Sequence, residues 1–194
     1  MSITINGSGT ITGISAGGLP DGSVTADDLA ADSVTAAKLS GQTFVSYAII
    51  ADQKTAGTDA GTFNNGAWET RELNTELADP NNIVSIATNQ FTLSAGSYLI
   101  KASAPANRVD NHQTRLYNIT DNAVAIVGSI AYSGSADTVQ TRSELSGRIT
   151  ITDTKIFELQ HRCSTGKSTN GFGNGIDFGE PNLYAMVEIY KEAG

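Results

Sequence analysis

Cysteine is nearly missing from this chain: Cys163 is the single one in 194 residues. A lone thiol excludes an internal disulfide framework and any multi-cysteine metal site. Basic residues are scarce as well, 12 Lys and Arg against 20 Asp and Glu, for a formal net charge of −8. Without a basic cluster there is no footprint for a phosphate backbone, so nucleic acid is set aside as a partner. No apolar run approaches the roughly 20 residues that cross a bilayer, and membrane insertion is not expected. The opening MSITINGSGT has neither the basic start nor the apolar stretch of a signal peptide, so the expectation is a soluble protein made in a cytoplasm. Against 4 prolines and 16% charged residues stand 20 glycines and an abundance of Thr, Ser and Asn. That balance suits strands and turns better than helices.

The clearest strand signal is QFTLSAGSYLIKASA, from Gln90 to Ala104. Tyr98, Ile100, Ala102 and Ala104 alternate with Ser97, Leu99, Lys101 and Ser103, a period of two that gives a strand two different faces. Phe91 and Leu93 share a face before a Ser94-Ala95-Gly96 step, which predicts a strand, a tight connection and a longer strand. Similar runs lie at 44–50, 67–73, 83–87, 114–120, 123–132, 142–152, 155–163 and 183–191. The turn at Asp121-Asn122 separates one pair and Asp153-Thr154 another, while the polar, Gly-rich 52–66 reads as a long surface loop. About ten short strands with no convincing long helix predict an all-β, antiparallel two-sheet sandwich.

Residues 1–41 differ from everything after them. They contain no aromatic residue, and their charged residues are Asp21, Asp27, Asp28, Asp32 and Lys38 alone. Ser23-Val24-Thr25-Ala26 recurs as Ser33-Val34-Thr35-Ala36, and beneath that repeat Ile14, Leu19, Val24, Leu29, Val34 and Leu39 are spaced by five throughout. Five fits neither a helix nor a strand; it suggests short extended pieces and turns, each presenting one apolar anchor. One thin copy cannot bury those anchors alone, but three copies about an axis, or one copy on a partner, can. Residues 1–41 are therefore expected to be a stem that attaches or trimerises, ahead of a head over 42–194.

FTLSAGSYLI with an apolar, aromatic-bearing last strand resembles the jelly-roll head of the C1q and tumour-necrosis-factor superfamily. Trp68-Glu-Thr-Arg71-Glu-Leu-Asn74, Ala104-Pro-Ala106, His112-Gln-Thr-Arg-Leu-Tyr-Asn118, Glu158-Leu-Gln-His161, Asn170-Gly-Phe-Gly173 and Val187-Glu-Ile-Tyr-Lys191 together resemble the C-terminal domain of many bacteriophage fibre proteins. The Val-Thr-Ala-x-x-Leu repeats resemble segments found upstream of such domains. The resemblance spans residues 42–193. It implies a homotrimeric virion appendage whose heads contact the host surface, with another virion protein held through residues 1–41.

Motifs of catalysis are weak by comparison. Gly13-Ile-Ser-Ala-Gly17 matches G-x-S-x-G, but Gly18-Leu19-Pro20 follows it where a nucleophile elbow needs a helix. Thr165-Gly-Lys-Ser-Thr169 echoes the end of a phosphate-binding loop, yet His161 stands where the upstream glycine is required. His161 and Cys163 share the face of Phe157 and Leu159, which reads as core or subunit interface. His112, after Asp110 and Asn111, is expected to hydrogen-bond a loop. Asp21, Asp27, Asp28 and Asp32 do not have calcium-loop spacing. No catalytic residue, metal or cofactor is expected.

Recognition is expected in Ser168 to Pro181, STNGFGNGIDFGEP. Its glycines permit sharp turns, and Phe172 and Phe178 sit among Asn170, Asn174 and Asp177. Rings beside amides and carboxylates suit a sugar, so a bacterial surface glycan is the expected ligand. The alternative, that both rings fold inward, stays open, as does packing for Trp68. Three functions remain: a trimeric fibre head that binds the host, a capsid decoration or fibre tip with no receptor of its own, and a surface-polysaccharide depolymerase.

Overall fold

The computed structural model describes Thr25, Asp27, Leu29, Ala30 and Val34, and residues 43–193. The chain divides into two units, Met1–Ser40 and Gly41–Gly194. The second unit holds eleven strands among the described residues: β1 (Phe44–Lys54), β2 (Glu69–Thr70), β3 (Thr75–Ala78), β4 (Val84–Ala87), β5 (Gln90–Leu93), β6 (Gly96–Asn107), β7 (Asp110–Asn118), β8 (Ala123–Ser133), β9 (Gln140–Ile151), β10 (Lys155–Cys163) and β11 (Asn182–Glu192). They build two antiparallel sheets, β3-β1-β11-β6-β9 and β4-β5-β10-β7-β8, with β2 beside β10.

Most consecutive strands change sheet, and strands distant in sequence become neighbours: β1 lies beside β11, and β5 beside β10. That is the connectivity of a jelly roll, the expected antiparallel sandwich. True hairpins are few. Thr88 and Asn89 both have positive φ, 49° and 64°, and join β4 to β5 in a two-residue turn whose twist suits paired strands. The expected turn at Asp121-Asn122 joins β7 to β8.

Three expectations change. The runs about Asp153-Thr154 are not partners: β9 pairs with β6, and β10 with β5 and β7, so this short link crosses between the sheets. Residues 52–66 are more than a surface loop, because β1 runs to Lys54 and Phe63 is fully buried, bridged to Lys167. The run 67–73 shrinks to the strand Glu69–Thr70, although the Arg71 amide still donates to the Leu159 carbonyl of β10 and the Arg71 and Leu73 side chains both turn into the interior.

The alternation read in β6 places Tyr98, Ile100, Ala102 and Ala104 inward, facing Phe91, Leu116, Phe157 and Leu159 across the sandwich. Burying each large side chain of this kind contributes roughly 1.5–3 kcal/mol. Alternation stops at Pro105, Ala106 and Asn107, all buried. Here the sandwich end is covered on both sides, and Phe63, Ala106, Val109 and Cys163 form a second apolar cluster against Phe172.

Candidate functional site

The segment 168–181, expected to bind a receptor, is divided by the fold. Phe172 turns inward: its ring stacks on Phe63 at 4.4 Å, and the Arg71 guanidinium lies over the Phe172 ring, 4.1 Å from its centroid. Asn170 donates to Asn174 Oδ1 at 2.9 Å, and the Asn174 amide donates to Gln140 Oε1 at 2.7 Å. Asp177 caps the turn by accepting from the Gly179 amide. Phe178 is 81% exposed, beside exposed Ile176 and Asp177. One ring is a structural prop and the other stands in solvent.

Beneath that segment lies a buried polar layer that sequence reasoning did not find. Arg71 is wholly buried, and its Nη1 and Nη2 donate to the carbonyls of Pro105 (3.2 Å) and Phe172 (2.9 Å). Burial pulls this guanidinium down to about 9, so it remains a cation at neutral pH. Asp52, also buried, is its nearby counter-charge; burial raises that carboxyl, and Lys54 and Arg71 oppose the rise. His112 and His161 are both buried in the same layer, 2.9 Å apart between Nδ1 and Nε2. His112 is thus an interior residue rather than the expected loop partner. Burial foremost, then the Arg71 charge, lowers His112 to about 4 and His161 well below the usual imidazole value. A buried cation has no signature in hydrophobic periodicity, which is why Arg71 was missed.

On the outer face of the second sheet, period two puts Arg115 and Tyr117 outward from β7. The Arg115 guanidinium lies between two rings, 4.1 Å from Trp68 and 4.8 Å from Tyr117. Its Nε donates to Gln160 Oε1 at 2.6 Å; Gln160 in turn donates to Glu158, which also accepts from Gln90. This ladder fixes the guanidinium and, through it, the indole. Cation–ring contacts of this kind each favour the stacked arrangement by about 0.5–1 kcal/mol at exposed sites. Beside Trp68 opens a groove of about 400 Å³, with Gln113, Ile130 and Arg162 along β7, β8 and β10 and Asn65, Asn111 and Ser164 toward one end. Gln113 is held by donating to the Gly128 carbonyl at 2.8 Å. The chain's one tryptophan was the available signal, but only the cross-strand register puts it next to Arg115 and Arg162.

Of the stem anchors, Leu29 and Val34 are each 45% exposed; Ile14, Leu19, Val24 and Leu39 lie outside the described residues.

No family model matches the chain, and no curated protein matches its sequence. Among solved structures, the globular domain of zebrafish complement 1qA protein is similar over 75% of this chain and 95% of its own, at 14% identity and a TM-score of 0.48. Murine APRIL crystallised at pH 8.5 is similar over 75% of this chain and 98% of its own, at 8% identity and a TM-score of 0.46.

Proposed function

We propose that the chain is a structural, non-enzymatic subunit of a bacteriophage fibre, a homotrimer whose jelly-roll heads face outward and bind the host surface. The observation that carries the self-assembly is a pair of unlike apolar surfaces left uncovered on one head. On the outer face of the first sheet, Tyr47, Tyr190 and Leu99 form one cross-strand row, with Phe44 against Tyr190 at 5.4 Å. On the edge strand β8, Val127, Ile130 and Tyr132 are 64%, 72% and 59% exposed. A head that exposes such patches is built to cover them. Two different patches on one chain make a head-to-tail contact, which closes into a ring when the rotation allows. Three is the number that the fibre-like residues and the five-residue anchor repeat of the stem favour.

Attachment to the virion falls to residues 1–41, and the trimer turns weak contacts into firm adhesion through effective concentration. The groove beside Trp68 has no carboxylate among its described lining residues, which supports binding rather than hydrolysis at that groove. Fluorescently labelled chain added to a panel of bacterial cells tests the reading. Decoration of particular strains, weakened at least tenfold by Val127→Glu on the edge strand, is the expected result. Digestion of the surface polysaccharide, or no decoration of any strain, contradicts it.

A further inference from the structure

We propose that the groove beside Trp68 is a saccharide site selective for sugars that carry a carboxylate. The inference rests on reading the chain as a surface-binding head, and it moves the contact point from the 168–181 segment to the outer face of the second sheet.

Three features of the groove point to this ligand. First, the indole wall is fixed before any ligand arrives, because Arg115 is sandwiched between Trp68 and Tyr117 and tied to Gln160. A rigid aromatic plane at the side of a cleft offers the apolar C–H face of a pyranose a surface to lie on, at little cost in ordering. Second, polar groups converge without being used up: the Trp68 Nε1–H, the Asn111 amide and the Arg162 guanidinium have no hydrogen-bond or ion-pair partner among the described residues. The Gln113 amide gives one N–H to the Gly128 carbonyl, which leaves its second N–H as a donor and its oxygen as an acceptor. Such a mixture of donors and acceptors matches a ring of hydroxyls. Third, the charge is of one sign. Arg162 is exposed in the groove, its described lining residues include no carboxylate, the neighbouring Glu69 is held by Asn64, and Arg115 stands behind Trp68, all in a chain of net charge −8. An unpaired guanidinium in an acidic protein selects a carboxylate, which it can hold by two parallel hydrogen bonds.

Ile130 belongs both to this groove and to the edge strip that is proposed to meet a neighbouring head, so the groove borders the subunit joint. Gln113, paired with Ile130, lies on β7 one strand in from that edge, and Arg162 on β10 two strands in.

Trp68 is the chain's only tryptophan, so its emission reports on the site alone. The full-length protein would be titrated with oligogalacturonate and sialyllactose, and with lactose and maltotriose as neutral counterparts, while its molar mass is checked on the same sample. The expected result is a saturable change in Trp68 emission with at least one acidic sugar and a response at least tenfold weaker with the neutral ones. Arg162→Gln should lower the acidic-sugar affinity at least tenfold and leave the melting temperature unchanged, and raised salt should weaken binding in the native protein only. Equal binding of neutral sugars, no response to either acidic sugar, or an unaffected Arg162→Gln overturns the proposal. Because assembly and cell decoration are measured separately, such a failure leaves the fibre-head reading standing.

Discussion

His112 Nδ1 accepts a hydrogen bond from His161 Nε2 across 2.9 Å, and the direction follows from a third residue. The Thr141 hydroxyl donates its one proton to the Tyr132 carbonyl, so it accepts from His112 Nε2–H at 2.9 Å. His112 then has only Nδ1 left to accept with, and His161 must donate. The chain His161, His112, Thr141, Tyr132 carbonyl is fixed in one sense, and His161 Nδ1 ends it as an unprotonated nitrogen buried without a partner.

Acid should therefore loosen the head. Both imidazoles sit below their unfolded value of about 6.5, so unfolding takes up protons as the pH falls from there towards about 4. Stability is full above pH 6.5 and declines below it, by up to about 1.4 kcal/mol per pH unit for each proton taken up. The charges around the pair are Arg71 and, beyond it, Asp52, Glu69, Glu72 and Arg142. The raised Asp52 carboxyl has the opposite sign and offsets part of the loss. Melting temperatures of the native protein and of His112→Gln/His161→Gln should converge between pH 7.5 and pH 4.5. A constant difference would refute the assignment.

Arg71 should be the costliest charge to remove. Arg71→Ala leaves the Pro105 and Phe172 carbonyls without a donor, Asp52 with Lys54 as its remaining nearby cation and a void under Phe172, at a cost of about 3–5 kcal/mol. Arg71→Lys keeps the charge but not the fork that reaches both carbonyls, and is expected to fall between. Denaturant melts measure the loss, and limited proteolysis should cut first within 168–181. A loss below about 1 kcal/mol would mean that the layer is not a support.

Gly173 has no room for a methyl group. Its φ is +151°, and a Cβ there would sit 2.3 Å from Tyr184 Cδ1. Tyr184 cannot retreat freely, because its phenol donates to the Thr58 carbonyl at 2.6 Å. Gly173→Ala should cost about 2–4 kcal/mol, whereas Gly179→Ala meets no atom within 4 Å and should cost only its backbone strain. Paired thermal melts check the ranking.

Cys163 should be inert in the folded protein. It is 4% exposed, and burial pushes its thiol up to about 11, so little thiolate exists at pH 8. A chromogenic disulfide reagent should react only as the protein unfolds in denaturant, at the rate of unfolding. Immediate stoichiometric reaction without denaturant would show that the second apolar cluster is open.

The strands were legible because their physics is local. Tyr98, Ile100, Ala102 and Ala104 announce a buried face by spacing alone, as do Phe157, Leu159, His161 and Cys163. What decides partners is not local: Asp153-Thr154 looks like a hairpin turn, yet a two-residue link also suffices to cross between stacked sheets. The same limit hid the polar layer. His112 and His161 are brought together by the pairing of β7 with β10, and Arg71 joins them from just past β2, where its amide donates to the Leu159 carbonyl of β10. Phe172 and Phe178 are alike in sequence, but only Phe172 lies over the Phe63 ring.

The account turns on self-assembly through the Tyr47–Tyr190–Leu99 row and the β8 edge. Absolute molar mass of the full chain, by light scattering after size exclusion, tests it directly. Three chains of 20.2 kDa give a single species near 60 kDa, and Val127→Glu should shift it downward. A native species near 20 kDa at all concentrations would contradict the trimeric head.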